Sequence, residues 1–91
     1  MKEVLINCEK LRSRKVLHDH LEAELSLPDY YGRNIDALHD ILASHNHTDP
    51  VTIRMINREK ESTRMVHMYD ALSEMLRNLH EENPNITYIE E

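Results

Sequence analysis

The stretch LPDYYGRNIDALHDIL, residues 27–42, decides how this chain folds. It contains Gly32, the single glycine among 91 residues, whereas average usage of about 7% would give roughly six. A chain that keeps one glycine needs it there, and the usual reason is a bend with positive φ. We therefore expect a left-handed bend at Gly32, directly ahead of a helix.

The residues after this bend have the pattern of a short amphipathic helix. Asn34 is a good N-cap, because its side-chain oxygen can accept an N–H from the first turn. Apolar residues at helical spacing predict a buried stripe made of Ile35, Leu38, Ile41 and Leu42. A different, outward face holds Asp36, His39 and Asp40. The stretch thus predicts a loop over 27–33 with two tyrosines, then a helix over 34–44 that shows two carboxylates to solvent.

The rest of the chain alternates short apolar strands with amphipathic helices. The patterns predict strands over 3–7, 51–56 and 86–89, and further helices over 14–26 and about 62–80. We expect Ser13 to cap the first helix and Pro28 to end it. Residues 57–62 are charged, which fits either a short solvated helix or a loop. Because helices separate the strands, the order β-α-α-β-α-β implies a parallel sheet with right-handed crossovers.

Composition narrows the classes of function. The chain has 17 acidic and 11 basic residues and a formal net charge of −6, which opposes nucleic-acid binding and favours a basic partner. No run approaches the roughly 18–20 apolar residues of a membrane span, and the first residues lack an apolar signal core. We expect one domain over 1–91 in the cytoplasm, with the single cysteine, Cys8, buried as a small hydrophobe.

Seven histidines raise the question of a metal site or an enzyme. His18 and His20 would point about 200° apart on a helix, so they cannot share one ion. His45 and His47 could converge in a loop, but no third ligand lies at a known spacing. The chain has no nucleophile elbow and no glycine-rich phosphate loop, and an acid–base pair on the exposed helix face would lack a cleft that excludes water. We predict no metal, no cofactor and no catalytic residues.

The stretch over 27–42 resembles the signature of the barstar family, intracellular protein inhibitors of a secreted microbial ribonuclease. The matching residues run Leu-Pro-Asp-Tyr-Tyr-Gly-x-Asn-x-Asp-Ala-Leu-x-Asp-x-Leu, and a similar order of elements can be followed from Val4 to Ile89. The resemblance implies an α/β fold of two layers. In that fold a three-stranded parallel sheet, in the order 1-2-3, packs against about three to four helices.

The resemblance also implies an inhibitory surface. Asp40 would take the place of an RNA phosphate with support from Asp36, because carboxylates accept charge-assisted hydrogen bonds from arginine. The expected partner-binding residues are Tyr30, Gly32, Asn34, Ile35, Asp36, Ala37, His39, Asp40, Met75 and Asn78.

Two residues depart from the family pattern. His39 stands where the family has a large aromatic residue, and Asn78 stands where it can present a further acidic contact. Glu74 or Glu81 could replace that contact, with Met75 as its apolar neighbour.

Two functions therefore stay open. The first is an inhibitor, monomeric when free, that blocks a basic guanyl-type ribonuclease or related nuclease toxin with loop 28–33 and helix 34–44. The second is an acidic protein–protein interaction module of the same fold with a non-nuclease partner.

Overall fold

A computed structural model describes residues 2–44 and 50–91. The elements in chain order are β1 (Lys2–Asn7), α1 (Arg14–Leu25), α2 (Ile35–Leu42), β2 (Val51–Ile56), α3 (Val66–Glu82) and β3 (Ile86–Glu90). Two short 3-10 turns, Arg58–Lys60 and Thr63–Met65, precede α3. The charged segment after β2, for which helix and loop were both open, therefore contains a single 3-10 turn. Because the second 3-10 turn precedes it, α3 begins at Val66 and not at about residue 62, as the periodicity predicted.

The three strands form a parallel sheet in the order β1-β2-β3, which confirms the expected topology. Val4 lies opposite Ile53, and Ile53 lies opposite Tyr88. One face of the sheet is buried and consists of Val4, Ile6, Val51, Ile53, Met55 and Ile86, joined by the half-buried Tyr88. The other face is more open, with Leu5 43% exposed. The helices thus cover one face, and the molecule has two layers.

The helices contribute the apolar stripes that their spacing predicted. α1 buries Leu17, Leu21 and Leu25, and α3 buries Tyr69, Leu72, Leu76 and Leu79. α2 buries Leu38 and Leu42, whereas Ile35 and Ile41 are half-buried at the edge of the core. Within 2–44 and 50–91, no helix has both the length and the apolar character needed to cross a membrane.

Cys8 and the ends of α1 also follow the sequence. Cys8 is buried, and burial raises the pKa of its thiol to about 11, as befits a packing residue. Ser13 caps α1 by accepting the N–H of Val16 on its Oγ at 3.2 Å. α1 ends before Pro28 is reached, because Ser26 adopts a left-handed φ of 52°.

Candidate protein-binding site

α2 begins where the sequence predicted. The Oδ1 atom of Asn34 accepts the N–H of Ala37 at 2.7 Å, and its Nδ2 donates to the carbonyl of Gly32 at 3.2 Å. This single side chain ties the loop to the first helical turn, where Ala37 is half-buried. Asp36 and Asp40 follow one turn apart on the same face of α2, and both are exposed.

The left-handed bend ahead of α2 lies at a different residue from the one expected. Arg33 adopts it, with a φ of 56°, and Gly32 has no positive φ. A Cβ on Gly32 would lie 3.3 Å from the Cβ of Ala37 and 3.3 Å from the Nδ2 of Asn34, a crowded position. The prediction of a glycine bend was therefore wrong. The loop instead passes close to the first turn of α2, so a side chain at this position would make its neighbours shift by a few tenths of an ångström.

The two adjacent tyrosines lie in opposite environments. Tyr30 is 83% exposed and Tyr31 is 5% exposed. The hydroxyl of Tyr31 lies 2.7 Å from the Nδ1 of His18 on α1. Burial raises the pKa of Tyr31 to about 12, and burial together with the nearby Arg33 lowers the pKa of His18. Both groups are therefore neutral at pH 7, and Tyr31 fixes the loop to α1 while Tyr30 presents its ring to solvent.

Arg33 makes a second connection between the loop and α1. Its guanidinium donates to Glu22 at 2.7 Å, to Asp19 at 2.5 Å and to the carbonyl of Lys15 at 3.2 Å. Hydrogen bonds from Lys15 and Arg33 lower the pKa of Asp19. The spacing of Lys15, Asp19 and Glu22 places them on one helix face, but nothing local assigns that face to a particular arginine.

The outward edge of α2 carries two exposed carboxylates, Asp36 and Asp40. The side chain of Asp40 is 84% exposed, and its Oδ1 lies 3.7 Å from the Nδ1 of the half-buried His39. Among the residues that the structure describes, no lysine or arginine forms an ion pair with Asp36 or Asp40. We call these two carboxylates the acidic edge.

A groove runs between α2 and α3 beside the acidic edge. Its lining residues are Ile35, Asp36, His39, Ala71, Glu74, Met75, Asn78, Glu81 and Glu82. The described residues of this lining include four carboxylates and no lysine or arginine. The structure thus brings Met75 and Asn78 into one acidic groove with Asp36 and His39. Asn78 donates to the carbonyl of Glu74 at 3.1 Å.

The C-terminal end of α3 holds α2 in place. His39 donates from Nε2 to Glu82 at 2.5 Å. Asn83, directly after α3, is buried and donates to the carbonyl of Leu42 at 2.9 Å, which caps the end of α2. Neither contact has a local signature in the sequence. With Arg33 and Tyr31 at its other end, α2 is fixed at both ends in the free protein.

The histidines of α1 diverge as the helix geometry predicted. His18 faces the buried Tyr31, whereas His20 donates from Nε2 to the carbonyl of Leu5 at 2.7 Å. His45 and His47 lie outside the described residues. Within the described part of the chain, no three His, Cys, Asp or Glu residues are grouped so as to hold a metal ion.

Known proteins resemble this chain along nearly its whole length. A family model described as Barstar (barnase inhibitor) matches residues 1–88. A protein of Bacillus subtilis (strain 168), named "Putative ribonuclease inhibitor YrdF", is 35% identical over 82 residues, which are 90% of this chain and 89% of that protein. Both matches include the loop ahead of α2 and the helix that carries the acidic edge.

Proposed function

The chain belongs to the barstar family, and we propose on that basis that it inhibits a basic ribonuclease by occluding its active site. The family is one of inhibitors, in agreement with the prediction that the chain is not an enzyme. The observation that carries the proposal is the acidic edge. Two exposed carboxylates stand on a helix held at both ends, and no lysine or arginine in the described ranges is paired with them.

The proposed mechanism follows from what a ribonuclease must bind. Its active site holds a phosphodiester, so it gathers arginine, lysine and histidine side chains. A carboxylate on a rigid helix accepts charge-assisted hydrogen bonds from the same groups. We assign Asp40 the position of the phosphate because it is 84% exposed. Asp36, one turn earlier, reinforces the negative potential.

The loop before α2 would complete the contact surface. Tyr30 offers a large exposed ring of the kind that is frequent at interface hot spots. Gly32 and Asn34 keep the loop close to the helix, so that both enter the cleft as one unit. A standard interface of about 800 Å² on each partner suits this surface. We propose a monomer of one domain over 1–91 that acts in the cytoplasm of the cell making the nuclease.

The acidic groove gives this chain its own variation of the family surface. His39 is half-buried and bonded to Glu82, so it does not offer the broad aromatic face that the family presents there. Glu74 and Glu81 both line the groove beside Asn78. We propose that these two glutamates supply the acidic contact that Asn78 cannot. Met75, in the same groove, packs against the aliphatic part of a partner side chain.

The same departures favour one alternative function. Because His39 is turned toward Glu82 and Asn78 is uncharged, two contacts of the family surface are altered. An acidic interaction module with a basic, non-nuclease partner would keep the fold and the acidic edge. It would show no effect on any ribonuclease.

The deciding experiment is a titration of ribonuclease activity with the purified chain. Barnase and a set of basic guanyl-specific ribonucleases serve as enzymes, and we expect activity to disappear at a one-to-one ratio for at least one of them. Retention of full activity by all of them favours the interaction module. A pull-down from lysate and culture medium, with Asp40→Ala as the negative control, then identifies the bound protein under either function.

A further inference from the structure

The loop ahead of α2 has two alternating sets of side chains. Tyr31 is buried and Arg33 is half-buried, and both are bonded to α1. Tyr30, Gly32 and Asn34, which alternate with them, are all exposed. The exposed set is the one that the proposed function assigns to the ribonuclease. Over residues 30–34, side chains bound to α1 thus alternate with residues that are exposed to solvent.

The contacts of Arg33 all end on α1. Its three acceptors are the carboxylates of Glu22 and Asp19 and the carbonyl of Lys15, and none of them lines the acidic groove or belongs to the acidic edge. Arg33 also holds a left-handed φ of 56°, which is unfavourable for a residue with a side chain. The hydrogen bonds to α1 therefore offset the cost of this backbone conformation.

The contact of Tyr31 acts at the same point. Its ring meets the ring of His18 edge to face, with centroids 5.6 Å apart, in addition to the hydrogen bond. Tyr31 and Arg33, the two residues bonded to α1, directly precede and follow Gly32. Gly32 in turn lies close to the first turn of α2. The position of the loop relative to the acidic edge is consequently set from α1.

We propose that Arg33 is a positioning residue and that α1, through Glu22 and Asp19, presets the loop in its binding conformation. This proposal rests on the proposed function. Ordering a loop at the moment of binding lowers affinity, and a loop that is already ordered avoids this cost. α1 thereby controls the affinity for the ribonuclease without touching it.

The test compares two glutamates of the same helix. Glu22 bonds to Arg33, whereas Glu24, two residues on, has no ion pair within the described residues. Glu22→Ala and Glu24→Ala remove the same charge and the same side chain. With barnase as the probe, we expect Glu22→Ala and Arg33→Met each to raise the Kd about tenfold, and Glu24→Ala to leave it within about twofold of the unmodified chain.

A double variant separates positioning from simple loss of charge. Because Glu22 acts through Arg33, Arg33→Met/Glu22→Ala should bind barnase no more weakly than Arg33→Met alone. Equal Kd values for the Glu22 and Glu24 variants, or additive losses in the double variant, would overturn the proposal.

A second readout does not need a nuclease. Amide hydrogen exchange of residues 30–33 in the free protein should be faster in Arg33→Met and Glu22→Ala than in Glu24→Ala. Exchange that is unchanged in all three variants refutes the presetting of the loop. If the unmodified chain leaves barnase fully active, the proposed function fails for that enzyme, and the exchange measurement still decides whether α1 holds the loop.

Discussion

The two sides of the loop and helix over 27–42 differ in how their charged residues are paired. On the inner side, the guanidinium of Arg33 is matched by Asp19 and Glu22 of α1. On the outer side, Asp36 and Asp40 form no ion pair with a lysine or arginine of the described ranges. The ion pairs of Arg33 fix the loop to α1, whereas the exposed carboxylates of α2 are accessible to a partner. Three predictions test this difference, from the largest effect to the smallest.

Asp40→Asn should cause the largest loss of binding. If Asp40 meets an arginine or lysine in the enzyme, its loss leaves that cation buried without a partner, which costs about 3 kcal/mol or more. We expect the Kd to rise at least hundredfold, as measured by inhibition or calorimetry. The free energy of unfolding should not change, because the side chain is 84% exposed.

The matched control for Asp40 is Glu59→Gln. Glu59 is exposed in the first 3-10 turn, and the structure shows no ion pair for it among the described residues. The substitution removes the same unit of charge at a position distant in sequence from Asp36 and Asp40. A loss of affinity equal to that of Asp40→Asn would show that only net charge matters.

Substitutions of the adjacent Tyr30 and Tyr31 should have separate effects, one on binding and the other on stability. Tyr30→Ala is expected to weaken binding by about 2 kcal/mol, as at an interface hot spot, with no change in urea denaturation. Tyr31→Phe should lower the free energy of unfolding by about 1–2 kcal/mol, because it leaves the buried imidazole of His18 without its partner. If Tyr31→Phe disturbed only binding, or Tyr30→Ala only stability, their assignment to two different sides would be wrong.

His18 should give the inner side a pH dependence. Burial first, and then Arg33 and Arg14, lower its pKa below the ordinary 6.5, while Glu22 and Asp19 oppose them. The unfolded chain therefore takes up a proton that the folded protein resists. The contribution of His18 to the free energy of unfolding is fully present above pH 6.5. It falls as the pH drops below 6.5, by at most about 1.4 kcal/mol per pH unit.

The measurement is the free energy of unfolding in urea at pH 7.5, 6.0 and 5.0 for the unmodified chain and for His18→Gln. The difference between the two proteins isolates His18 from the other titrating groups. We expect the variant to lose less stability between pH 7.5 and 5.0. Parallel profiles would mean that His18 does not resist protonation in the fold.

Sequence reasoning succeeded where the cause of the structure is local. The alternation over 51–56 gives the bounds of β2, and the caps at Ser13 and Asn34 are found at the predicted residues. Each of these features depends on residues within a few positions of one another. The order of the strands came from the resemblance to a family, and their parallel direction came from the rule for crossovers.

The contacts that hold the site in place are not local. His39 meets Glu82 and Asn83 meets Leu42 across more than forty residues, so no periodicity encodes them. The single glycine shows a different limit. Composition indicates that Gly32 is needed, but it cannot distinguish a left-handed bend from a crowded passage of the backbone.

The most direct test of the central claim is competition for the enzyme's phosphate site. Guanosine 3′-monophosphate is titrated into the complex of this chain with a ribonuclease that it inhibits, and the Kd of the complex is followed. If the acidic edge of α2 occupies the position of RNA phosphate, the apparent Kd rises in proportion to the nucleotide concentration. A Kd that stays constant at saturating nucleotide would contradict the account.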